Sequence, residues 1–143
     1  MTKTLLTAKE LGCDDTTWDL SGLFSSIDDP KIKDILDTTK TDTEAFALRY
    51  KSLVHTLDAT SLKDAFVAKE EIITPMFKLS QYSHLHLSLD TQNDAVKSLV
   101  AIVDEACSRM SNDMLFFELE LGAVSDTQFA KMMDPDILGP YTY

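Results

Sequence analysis

Three stretches of this chain repeat their seam residues at alternating intervals of four and three, and that rhythm leaves little choice of fold. A side chain returns to the same face of an α-helix about every 3.6 residues, so the repeat lays one stripe along a long helix. A strand would need every second residue. In the first stretch the stripe is Ile32, Leu36, Thr39, Thr43, Phe46, Tyr50, Leu53 and Leu57, with the two threonines as a polar waist. Asp29-Pro30 supplies its start. The aspartate can cap free N–H groups, and the proline sits where its missing N–H costs nothing.

The second stretch predicts a helix from Thr60 or Ser61, its stripe made of Leu62, Ala65, Phe66, Ile72, Ile73, Met76, Leu79, Tyr82, Leu85 and Leu89. Pro75 cannot donate to the carbonyl of Glu71, which predicts a kink near residues 71–74. The third opens at Thr91-Gln92-Asn93-Asp94, a capping-box-like start. Its seam is Val96, Val100, Val103, Cys107, Met110, Met114, Phe117 and Leu121, with Gly122 just past the end. Ser125-Asp126-Thr127-Gln128 is a capping box for a short fourth helix with Phe129, Met132 and Met133 on its apolar face, stopped by Asp134-Pro135. Short connections make consecutive helices antiparallel neighbours. The expected fold is all-α: an antiparallel bundle of three long helices plus one short C-terminal helix. An N-terminal extended segment, Trp18 to Phe24, packs on it as an apolar clasp, with Asp19 or Ser21 tying down the local backbone. A tail at 1–16 precedes a helical domain at 17–143.

Charge narrows the partners. Lys and Arg total 13 against 24 Asp and Glu, a formal charge of −11. Nucleic acid and anionic membranes both need a basic patch, so neither is an expected partner. No apolar run approaches the ~20 residues of a membrane span. The N-terminus lacks the ~7–15-residue apolar core of a signal peptide, so the cytoplasm is the expected compartment. Cys13 and Cys107 are then expected as free thiols.

Two features do not suit a self-contained bundle. Leu115, Phe116 and Leu119 lie off the third seam, so residues 114–121 are apolar on more than one face. A helix apolar nearly all round is usually surrounded. The sequence also stops at Gly139-Pro140-Tyr141-Thr142-Tyr143 without a polar tail. The expectation is a piece of something longer, or a homo-oligomer through the apolar end of the third helix.

The titratable residues form no recognised catalytic pattern in the sequence. Of the histidines, His55, His84 and His86, none begins H-E-x-x-H. His84 and His86 are two apart, which on a helix points them ~200° apart. No glutamate has a histidine three residues on, as a di-iron bundle requires. There is no phosphate loop and no G-x-S-x-G elbow. A metal-binding bundle would have to use His84, His86 and Glu118. The reading assigns no catalytic, cofactor-binding or metal-ligating residue to this chain, and no cofactor within it.

Taken together, certain short motifs resemble the N-terminal portion of oligoendopeptidase F-type zinc metallopeptidases, relatives of thimet oligopeptidase. They are Trp18-Asp19-Leu20-Ser21 with Leu23-Phe24, then Phe46-Ala47 and Tyr50, then Leu79-Ser80-Gln81-Tyr82-Ser83-His84-Leu85 with Asp90-Thr91. Leu115-Phe116-Phe117-Glu118-Leu119-Glu120-Leu121, Asp134-Pro135 and Pro140-Tyr141 follow. Gly22 and Pro75 depart from the pattern, which has an acidic residue and a helix former there. The resemblance implies an elongated helical enzyme that hydrolyses short peptides in a deep cleft, with zinc and its H-E-x-x-H site in a C-terminal catalytic domain missing from this sequence. This chain would then be a non-catalytic part of the cleft wall or lid. The alternative is a free-standing interaction module that forms a homo-oligomer.

Overall fold

Three long helices fill most of the computed structural model, which describes Lys9, Glu10, Gly12 and residues 18–141. They are α1 (Pro30–Tyr50), α2 (Ala59–Leu89) and α3 (Asp94–Gly122), each packed on the other two. Two short helices, α4 (Asp126–Met132) and α5 (Pro135–Leu138), follow, and 3-10 turns lie at Val54–Thr56 and Gly139–Tyr141. Among the described residues there is no strand. Apart from Lys9, Glu10 and Gly12, expectations for the tail at 1–16, including Cys13, lie outside the described residues.

The seams explain the arrangement. One core cluster joins Phe46 and Tyr50 at the end of α1, Leu62 and Ala65 at the start of α2, and Met114 and Phe117 late in α3. The other joins Ile32 early in α1, Met76, Leu79 and Tyr82 late in α2, and Leu99 and Val103 early in α3. Start meets end each time, so the three helices run up, down and up. Thr39 and Thr43, the polar waist of the seam, are buried within α1. Met110 packs against both clusters, the gap-filling that a flexible thioether does well. Met132 and Leu138 bring α4 and α5 under the first cluster.

Each long helix has an oxygen at its N-terminus. Asp29 accepts from the Lys31 N–H at 3.0 Å. Asp58 accepts from Ser61 at 2.8 Å, so α2 starts at Ala59, slightly earlier than expected. Asn93 takes both the Ala95 and Val96 N–H groups. Ser125 caps α4, but Gln128 does not close the box: its amide donates to the His55 carbonyl at 3.4 Å. Asp134-Pro135 ends α4 and also opens α5, with Asp134 as cap. Helix α2 runs through Pro75 without a break.

Asp29 carries a pH prediction. The Ser25 N–H, then the Lys31 N–H and the Ser25 hydroxyl, hold its carboxyl below the ordinary 3.8. The folded value lies below the unfolded one, so its contribution is fully present above pH 3.8 and is lost as pH falls through the folded value. Asp29→Asn is expected to flatten the acid limb of stability against pH below about 4. Urea midpoints at a series of acid pH values check this.

Two expectations are corrected. Helix α1 does not carry its seam to Leu57. The chain becomes extended at Lys51, and Ser52 takes a left-handed backbone with φ 67°. The slip buries Val54 in place of Leu53. The Glu120 carboxylate fixes this exit by accepting the Ser52 N–H at 2.8 Å. A left-handed serine costs about 1 kcal/mol, partly offset in any glycine replacement by greater unfolded freedom. Ser52→Gly is therefore expected to raise stability by about 0.5 kcal/mol, read from the urea midpoint.

The other correction concerns Trp18 to Phe24. Leu20 and Phe24 pack onto the second cluster, and Phe24 meets the Tyr82 ring at 4.9 Å. Trp18, 63% exposed, and Leu23 do not join them. The cause is a turn: Asp19 accepts the Ser21 N–H at 2.9 Å and Leu20 accepts the Leu23 N–H at 2.9 Å. The turn aims Leu20 and Phe24 inward and leaves their neighbours outside.

Candidate functional site at the apolar end of α3

The last two turns of α3 present apolar residues on both sides of the helix. Phe117 points inward and meets the rings of Phe46 at 5.4 Å and Phe66 at 5.8 Å. Phe116, half-buried, reaches Phe46 at 6.0 Å. Leu115 and Leu119 face away from the core and stay 46% and 64% exposed. Helical spacing makes Leu115, Phe116 and Leu119 neighbours on one surface. Leu48 of α1, 87% exposed, lines with Phe116 and Ala47 a groove whose other walls are polar, Glu44, Lys51, Asn112 and Asp113. The result is a group of exposed apolar side chains across the ends of α1 and α3, with Glu44, Lys51 and Asp113 among them.

Polar groups hold this end in place. Glu118 pairs with Lys69 of α2 at 2.6 Å, and the Lys69 ammonium lies 5.9 Å from the centre of the Phe117 ring. Glu120 ties α3 to the exit of α1 through Ser52. Beyond α5, Tyr141 stacks on Phe66 with ring centres 4.9 Å apart, and its hydroxyl donates to Glu70 at 3.0 Å. Burial, then Glu70, pushes the Tyr141 hydroxyl above its ordinary value, so it stays protonated and donating at neutral pH.

The residues that a metal-binding bundle would need are not brought together. The His84 ring bonds to Asp104 of α3 at 3.1 Å. His86 is half-buried and edge-on to Tyr82. Glu118 lies fourteen residues beyond Asp104 along α3, or about 21 Å at the helical rise. His55 is exposed and lines a shallow depression with Ser52, Glu120 and Ala123. Among the described residues no group of three or more His, Cys, Asp or Glu is placed to hold a metal ion. Cys107 is a half-buried free thiol, pushed above its ordinary value by burial and then by Asp104. Among the described residues no helix is long and apolar enough to cross a membrane.

The sequence pointed to Leu115, Phe116 and Leu119 but not to Leu48. A single leucine opposite the seam, beside Arg49, has the look of scattered surface apolarity. Only the packing of α1 on α3 makes it part of a patch. No family model, curated protein or solved structure matches the chain.

Proposed function

We infer that this chain is a non-catalytic helical part of a cytoplasmic zinc oligoendopeptidase, forming a section of the wall or lid of a cleft that admits short peptides. The observation that carries the reading is the apolar patch of Leu48, Leu115, Phe116 and Leu119, which suits burial against another folded body. The resemblance supports it, because several of its motif residues converge on this end. Phe46, Tyr50, Phe116 and Phe117 form one ring cluster, and Glu118 and Glu120 are its polar ties. The body that covers the patch is then the zinc-bearing catalytic domain. Zinc and H-E-x-x-H belong to that domain, and this chain shapes access to it. Sequencing the encoding messenger past the Tyr143 codon tests the reading. An in-frame H-E-x-x-H is expected, and an immediate stop codon overturns it.

The same exposed leucines favour a second reading, a homo-oligomer closed through the patch. Sedimentation of the purified chain tests this second reading. A concentration-dependent dimer supports self-association, and a stable, well-folded monomer overturns it.

A further inference from the structure

We propose that the outward face shared by α2 and α3 is a contact between two copies of this chain, closed by a two-fold axis running along the helices. Three points across α2 and α3 fix the register of that face. Lys69 pairs with Glu118 at 2.6 Å, Ser80 lies beside the Cys107 thiol, and His84 bonds to Asp104 at 3.1 Å. Between the outer two pairs, steps of three and four residues put Ile73 and Phe77 on one stripe of α2, and Ser108, Ser111 and Leu115 on one stripe of α3. These stripes carry no charge over ~22 Å, in a chain that is 26% charged. The charged residues of the same turns stand on other flanks. Arg109 and Asp113 line the α1–α3 groove, and Lys78 lies two turns along from Glu71, which lines the α1–α2 groove. Phe77 is 62% exposed at the centre of the face. An uncharged, aromatic centre with a charged rim is the anatomy of a protein interface.

The face is complementary to itself, which names its occupant. In this register Phe77 stands level with Ser111, and Ile73 with Leu115. A two-fold axis along the helices lays α2 of one copy on α3 of the other. Phe77 then enters the space above the small Ser108 and Ser111 side chains of the other copy, and Ile73 meets its Leu115. At the ends, α2 supplies both donors, Lys69 and His84, and α3 both carboxylates, Glu118 and Asp104. Each donor therefore faces a carboxylate of the other copy as well as its own. A net charge of −11 opposes self-association wherever carboxylates would meet, and this face avoids that. A length of ~22 Å by two helix widths of ~10 Å gives about 440 Å² per copy, the size of a weak, reversible association. Apart from Leu115, the face is separate from the apolar side chains across the ends of α1 and α3, and it rests on neither reading above.

Sedimentation equilibrium of the purified chain tests this, with a dimer of Kd about 100 μM expected. Phe77→Lys and Ser111→Asp, both at exposed positions, are each expected to weaken the dimer about tenfold while circular dichroism stays unchanged. Mixing the two variants is expected to restore a one-to-one dimer. In one half of the contact the new ammonium meets the new carboxylate, and in the other half the native phenylalanine meets the native serine. Leu48→Glu is expected to leave the dimer as it is. A chain that stays monomeric at the highest concentration overturns the proposal, as does a mixture that fails to associate. So does a dimer lost with Leu48→Glu but kept with Phe77→Lys, which would assign self-association to the ends of α1 and α3.

Discussion

Phe117→Ala is expected to remove about 3–5 kcal/mol of folding stability, enough to leave a domain of ordinary stability marginal or unfolded. The magnitude follows from where the ring sits. Phe117 is fully buried and lies edge-on to Phe46, Tyr50, Phe66 and Phe116, drawn from all three long helices. Truncation loses the transfer free energy of the ring and leaves a cavity. The cavity cannot easily close, because α3 is tied on either side of it. Glu118 holds Lys69 of α2, and Glu120 holds the backbone of Ser52. Phe117→Leu keeps most of the volume and is expected to lose far less, on the order of 1 kcal/mol. Urea unfolding followed by circular dichroism measures both, with a lower midpoint and an unchanged slope if the native state only loses stability. A loss below 1 kcal/mol for the alanine variant would mean that this end of the bundle is loosely packed.

The helices were readable because their signals are local. A four-three seam fixes a face, and Asp29-Pro30, Asn93 and Ser125 mark starts within a few residues. The exit of α1 was not readable. No glycine or proline marks it, and the interaction that fixes it comes from Glu120, sixty-eight residues away. The seam residues Leu53 and Leu57 continued the pattern in sequence after the backbone had already turned at Ser52. Proline shows a similar limit. Pro75 and Pro135 are the same residue type, but one sits inside a helix held by packing on both sides and the other opens a new turn. Tertiary contact decides between these outcomes. The candidate site divides the same way. Leu115, Phe116 and Leu119 betray themselves by breaking the periodicity of their own helix. Leu48 joins them only through the packing of α1 on α3.

The double substitution Leu48→Glu with Leu119→Glu is expected to leave this chain's own stability within about 0.5 kcal/mol, because both side chains already meet water. Its effect should appear only where the patch is covered. A carboxylate forced into a closed apolar contact is desolvated without a partner, and loss of a central anchor typically costs 2 kcal/mol or more. Two such changes therefore weaken the contact by about a thousandfold. If the chain is part of a peptidase, the whole parent enzyme should melt several degrees lower with this pair, while the isolated chain melts as before. If the chain instead pairs with itself, the isolated chain should change from dimer to monomer in sedimentation. An unchanged parent and an unchanged sedimentation profile together would mean that the patch meets only solvent. The contrast with Phe117 gives the test its force. Two leucines and a phenylalanine occupy the same turns of α3 and the facing end of α1, yet only the phenylalanine should matter to the fold. The leucines should matter to what the fold is joined to.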